Sequence, residues 1–209
     1  MTPEVFIHIL SPSLAVWHCY DPSVKADLFA TKISTTAGAF LIDPIPLPTA
    51  RLSTLLTRER IAGIVITNGN HARAAGDFSR EFDVPIHAHP EGRSDLGARI
   101  ADKADGDSIA PGLKVITIDG AGPGEIALHS EARGGTLILG DALINMDALG
   151  FTFLPAKYCT NPKLMRKSLL KLLRLRFERI LFAHGTPIVA QAERRLTELL
   201  NGHQSDSRS

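Results

Sequence analysis

Three short apolar runs in this sequence stop abruptly on polar residues, and that shared ending constrains the fold more than any other feature. Ile61–Thr67 runs into Asn68-Gly69-Asn70-His71, Thr136–Leu139 into Gly140-Asp141, and Arg179–Ala183 into His184-Gly185. Apolar runs of this length, bounded by Gly, Asn and Asp, read as buried strands. Their polar endings predict a rigid sheet scaffold that holds functional loops at the strand termini.

The remaining pattern fills in an α/β chain. Val5–Leu10, Leu14–Cys19 and Leu28–Thr35 are short apolar or alternating runs separated by Ser-Pro and Asp-Pro breaks, and they read as β structure. Ala39–Ile42 is a buried-type strand that turns at Asp43-Pro44. Helical spacing follows over Thr49–Arg60, then near Gly76–Phe82, over Pro162–Phe177 and over Ile188–Leu200. Further strands are expected at Pro85–His89, Lys114–Ile118, Glu125–His129 and Thr136–Leu139, with a polar stretch over Glu91–Asp107. Helices following strands in both halves predict two sheets packed together with helices outside, as one domain over residues 1–209 with a polar tail from about 202.

Composition excludes several classes. With 44% hydrophobic residues, the 209-residue chain can bury a core without staples. A net charge of +1 gives no global field for nucleic acid or anionic membrane. Cys19 and Cys159 lie far apart and make neither a disulfide framework nor a CxxC zinc motif, so both are expected as reduced thiols. The apolar runs are far too short to span a bilayer. Met1–Leu10 lacks a basic n-region and a long apolar core, so a cytoplasmic location is the expectation.

The order of these fragments resembles the metallo-β-lactamase superfamily from about Leu28 to Leu200: a hydrophobic strand into Ile42-Asp43-Pro44, the loop after Thr67, a Gly-Pro-Gly turn, a Gly-Asp strand end and a late His-Gly-x-Pro. The resemblance implies the αββα four-layer sandwich of that family, with mixed sheets and outer helices. It also implies where metal ligands would stand. The family's loop Thr-His-x-His-x-Asp-His-x-Gly-Gly places Asn68 and Asn70 at its first two histidines, Ala72 at its aspartate and Arg73 at its third histidine. The next family histidine falls on Ala121, the bridging aspartate on Asp141 and the last histidine on His184. Only these last two match, so the resemblance implies a largely lost dinuclear site.

Zinc needs about four ligands drawn from Cys, His and carboxylate. Asparagine amides are poor substitutes, and a guanidinium brings a permanent positive charge to where a cation would sit. Asp141 without a metal needs a positive partner: either the Arg73 guanidinium replaces a metal and pairs with it, or Arg73 points into solvent and Asp141 caps a turn. His71 falls between ligand positions, so its side chain should point away from the metal and make a loop hydrogen bond or face solvent. A shifted loop would instead make His71, Asp141 and His184 a three-ligand metal site with room for water. The candidate cleft residues are therefore Asn68, Asn70, His71, Arg73, Asp141 and His184.

Other motifs carry less. His87 and His89 share one strand face at i, i+2 spacing without further ligands. His8, His18 and His129 read as isolated and structural, and Glu125, beside the Gly-Pro-Gly turn, as a cap or cleft-lining residue. No Gly-x-Ser-x-Gly elbow or P-loop is present. The basic residues Lys163, Arg166, Lys167, Lys171, Arg174, Arg176 and Arg179 read as a solvated face, with no interleaved aromatics to stack bases.

The expectation for function is a small-molecule binding protein, without a conventional zinc centre, membrane association or nucleic-acid partner. An ester or thioester hydrolase using one zinc or other divalent metal at low occupancy, like glyoxalase II in the same family, is the alternative. Fold alone does not carry activity across.

Overall fold

The computed structural model describes residues 4–56, 59–93 and 99–206. Strands β1 (Phe6–Ser11), β2 (Leu14–Asp21), β3 (Ala26–Thr35) and β4 (Gly38–Ile42) form an antiparallel meander. Helix α1 (Thr49–Leu56) then crosses over, and β5 (Ile61–Val65) joins β4 in parallel. A crossover is what parallel pairing requires. After α2 (Ala75–Phe82), β6 (Ile86–Ala88) and β7 (Ile100–Asp102) extend the same parallel side, giving a seven-stranded sheet ordered β1 to β7.

The second sheet holds β8 (Ser108–Ala110), β9 (Leu113–Thr117), β10 (Ile126–Ser130), β11 (Thr136–Leu139) and β14 (Arg179–Phe182), in the order β14-β11-β10-β9-β8. A separate hairpin, β12 (Leu143–Met146) with β13 (Gly150–Phe153), precedes α3 (Pro162–Leu169), and α4 (Ala192–Asp206) closes the described chain.

Strand alternation sorts the apolar residues into three cores. Val16, Phe40, Ile42 and Val65 of the first sheet meet Val115, Leu128, Ile138 and Leu181 of the second between the sheets. The opposite face of the first sheet, with Trp17, Leu41 and Ile64, packs on Leu52 and Leu55 of α1 and Phe78 of α2. Leu137, Leu139 and Phe182 pack on Met165 and Leu169 of α3 and on Leu196 and Leu200 of α4. Period-two patterning buried on both faces yields the four layers α-β-β-α.

Several expected boundaries move. The described part of the first helix ends at Leu56, Glu59 and Arg60 are not helical, and residues 57 and 58 lie outside the described residues. The polar stretch from Glu91 to Asp107 contains β7, with 94–98 outside the described residues. The pair β12–β13 falls where no strand is expected. The helix after Pro162 is regular only to Leu169 and tightens into a 3-10 turn over Leu170–Arg174. Ile188 pairs with Ile180 as a bridge, so the last helix begins only at Ala192 and runs on through the expected polar tail to Asp206.

Candidate functional site

The three strand endings do converge. Backbone bonds tie the two sheets together at this edge: Ile126 N donates to Thr67 O (2.7 Å), Gly69 N to Pro123 O (3.3 Å) and Phe29 N to Ala183 O (2.9 Å). Asp43 follows β4, Thr67 and Asn68 follow β5, Glu125 precedes β10, Asp141 follows β11 and His184 follows β14.

Asn68 shapes the first loop. Its Oδ1 accepts from Asn70 N (2.9 Å) and caps the 3-10 turn Gly69–His71, the role short polar side chains fill at helix starts. The turn swings His71 inward, where it is buried. Its Nδ1 lies 3.0 Å from Asp43 Oδ2 and 2.8 Å from Thr67 Oγ1. Thr67 Oγ1 donates its only proton to Asp43 Oδ2 (2.6 Å), so Nδ1 of His71 must be the donor in both contacts. On the other side of the ring, Nε2 lies 3.2 Å from Asp141 Oδ1, an ion-pair distance without good hydrogen-bond alignment.

One imidazole therefore sits between two carboxylates. Burial disfavours its charge, but Asp43 and then Asp141 outweigh burial and the repulsion of Arg73, raising its pKa from 6.5 to about 9. Burial likewise opposes ionisation of Asp141, yet the His71 ring holds its carboxyl well below the usual range, helped by His184 and Asn68. Asp43 is lowered for the same reason, with His71 and Arg73 overriding burial.

The Arg73–Asp141 ion pair does not form. Arg73, at a positive φ of 37°, sends Nη1 to Phe29 O (2.8 Å) and Asp43 O (3.2 Å). Its Nη2 lies 3.4 Å from His184 Nε2. The physical reason is competition: His71 occupies the face of Asp141 that Arg73 would need, and two backbone carbonyls take up the guanidinium fork. His184 Nε2 also lies 3.4 Å from Asp141 Oδ1. Burial, followed by the nearby Arg73 and His71 charges, depresses His184 to about 4 against the pull of Asp141, leaving a neutral ring that accepts from Arg73.

Asn68 reaches the other way. Its Nδ2 donates to Glu125 Oε2 (2.7 Å) and to Asp141 Oδ2 (3.1 Å), while Ala142 N donates to Glu125 Oε1 (3.0 Å). Burial, then the charge of Asp141, raises Glu125 to about 8, so its carboxyl is neutral at physiological pH. The cluster thus balances Asp43 and Asp141 against His71 and Arg73.

Of the other expected positions, Asn70 is exposed at the rim, Ala72 packs against the first outer core and Ala121 is buried in the second. His71, expected to point away, instead occupies the centre. Asp43 and Thr67 are the residues that sequence reasoning misses; an aspartate held between a buried strand and a proline is the available signal. A groove of about 650 Å³, lined by none of the cluster's own side chains, runs between His18 and Phe29 on one side and Met146, Gly185, Thr186, Pro187 and Val189 on the other. A second cavity of about 470 Å³ reaches Glu125 past His89, Gly120, Gly122, Pro123 and Gly124.

Elsewhere, His87 is buried beside Phe40, its pKa lowered to about 4 by burial and Lys103, whereas His89 caps the turn at Glu91. Much of the basic segment is engaged: Arg166 over Phe153, Lys171 with Asp119, Arg176 with Glu193 and Arg179 with Glu178. Among the described residues, no helix is long and apolar enough to cross a membrane.

A family model described as the metallo-beta-lactamase superfamily matches residues 7–202, and the chain belongs to that superfamily. Among solved structures, it is similar to the DIM-1 metallo-beta-lactamase, at 14% identity and a TM-score of 0.75, covering 96% of this chain and 99% of that one. A metallo-beta-lactamase from Pontibacter korlensis gives 16% identity, a TM-score of 0.73 and coverage of 95% and 99%. A metallo-beta-lactamase family protein from Thermus thermophilus gives 19%, 0.68, 94% and 81%. No curated protein sequence matches. At these identities the likeness establishes the fold.

Proposed function

We propose that this chain uses the metallo-β-lactamase fold as a small-molecule binding protein, with a cluster of its own charged side chains in place of a dinuclear metal centre. The observation that carries this reading is the buried His71 ring between Asp43 and Asp141. Two metal ions do not fit the residues present. Asn68 is committed to Glu125 and to the loop, Ala72 and Ala121 offer no donor, and Arg73 brings its charge to within 3.4 Å of His184 Nε2. A guanidinium stays protonated and repels a cation. His71 and Arg73 supply the positive charge that Asp43 and Asp141 need in a site shielded from water.

A second reading rests on one observation. Ligand atoms of His71, Asp141 and His184 lie within 4.8 Å of one another, and the carboxylate of Asp43 behind His71 is the support that metal-bound histidines use. These residues could hold one divalent ion, which would supply Lewis-acid activation for ester or thioester hydrolysis. It would have to displace the Arg73 contact from His184 and the proton from His71 Nε2, which is why binding without metal is preferred.

Metal analysis of the purified chain, with thermal-shift and thioester-hydrolysis assays run with and without zinc, separates the two. Melting-point shifts with small organic ligands, and no zinc-dependent turnover, support the binding protein. Stoichiometric metal at Asp141 and His184, whose removal abolishes turnover, overturns it.

A further inference from the structure

His8 and His18 look unrelated in sequence, ten residues apart on neighbouring strands. The register of β1 on β2 sets Phe6 opposite His18 and His8 opposite Val16, so both histidines project from the same face on a diagonal. His18 in turn faces Phe29 of β3. Its ring is held between Phe6, at 5.3 Å, and Phe29, at 4.6 Å. The two imidazole planes lie within 11° of each other, and their Nε2 atoms are 3.3 Å apart.

That contact is a hydrogen bond, one Nε2–H donating to the other ring, and its length also suits a shared metal. Two nitrogens bound to one tetrahedral zinc at about 2.0–2.1 Å each stand about 3.3–3.4 Å apart. Behind His18, Nδ1 is buried without a hydrogen-bond partner and lies 3.8 Å from Asp27 Oδ1. A carboxylate at one ring nitrogen favours a proton there and leaves the other nitrogen as the lone-pair donor. Both histidines line the 650 Å³ groove, so positions beyond their two nitrogens open onto that groove.

We propose that His8 and His18 form a two-histidine site for a borderline transition-metal ion, zinc or copper(II), whose remaining positions are filled by water or by a ligand in the groove. Copper(II) should bind more tightly than zinc, following the general order for imidazole donors. The site shares no residue with the His71–Asp141–His184 cluster and stands whether or not that cluster binds metal.

The test is calorimetric titration of the untagged full chain with copper(II) alone and with zinc alone, alongside His8→Ala and His184→Ala. His8 is exposed on the edge strand, so its truncation leaves the core intact. The expected result is one copper(II) site, weakened at least tenfold in His8→Ala, unchanged in His184→Ala, and showing two equatorial nitrogens by paramagnetic resonance. In the His184→Ala chain, where the cluster lacks one of its ligands, no copper(II) uptake, or uptake that adding His8→Ala leaves unweakened, would overturn the proposal.

Discussion

His71 Nδ1 donates to Asp43 Oδ2 across 3.0 Å, and that buried contact sets the protonation pattern of the whole site. Fixing the proton on Nδ1 turns Nε2 toward Asp141, so one ring answers two carboxylates that come from different sheets. The pairing links the ends of β4 and β11 and makes the cluster part of the fold's stability as well as its cleft.

His71→Ala should destabilise the chain strongly. It leaves Asp43 buried without its cation and weakens the partner set of Asp141; breaking such a buried pair costs about 3–5 kcal/mol. Urea unfolding should show the midpoint falling with the slope unchanged. A loss below about 1 kcal/mol would mean that His71 is not charged in the fold.

The pH dependence follows from the same ring. Its folded pKa is raised from 6.5 to about 9, so its stabilisation is complete below 6.5 and is lost as pH rises through about 9. Glu125, raised from 4.5 to about 8, acts in the same direction, because the folded state resists an ionisation that the unfolded chain undergoes freely. Asp43 and Asp141 are lowered, so their contribution is present above 3.8 and lost as pH falls through their folded values. His184 and His87, both lowered to about 4, work the other way and favour the folded chain increasingly as pH rises from about 4 to 6.5, offsetting Glu125 there, so stability should peak near pH 6.5 and decline toward pH 9. Denaturant midpoints across that range check this, and a rise between 6.5 and 9 would contradict it.

The fold is legible in the sequence because strand-length apolar runs and their polar endings survive without the family's ligands. Asp141 and His184 are legible as a pair for the same reason. The role of His71 is hidden, because its inward turn depends on the Asn68 cap and on a carboxylate 28 residues earlier in the chain. Arg73 bonds the carbonyls of Phe29 and Asp43 rather than pairing with Asp141, and those carbonyls carry no side-chain signature. The hairpin β12–β13 escapes notice because Asn145, Asp147 and Gly150 break the apolar alternation. His8 and His18 meet only through the strand register.

Arg73→Ala should cost about 2–4 kcal/mol, since buried carbonyls left without donors cost about 1–3 kcal/mol each. Arg73→Lys should recover only part of this, because a single ammonium cannot reproduce the guanidinium fork. Thermal melts of both variants check the order; full rescue by lysine would show that charge alone suffices.

Gly140→Ala tests how tightly the cluster is packed. An added Cβ would lie 2.5 Å from Thr67 Oγ1 and 2.7 Å from Glu125 Oε1. Overpacking of this kind costs about 1–3 kcal/mol, and calorimetry of the variant against the parent chain reads the loss.

The most direct measurement of the central claim is the protonation of the His71 ring, read by nitrogen-15 NMR on the His8→Ala protein at neutral pH with and without zinc. Removal of His8 keeps the edge site from contributing. A charged ring between Asp43 and Asp141 predicts that both its nitrogens are protonated and that zinc leaves them so. An unprotonated Nε2 whose resonance shifts on adding one equivalent of zinc would contradict this, and would put a metal where a proton is expected.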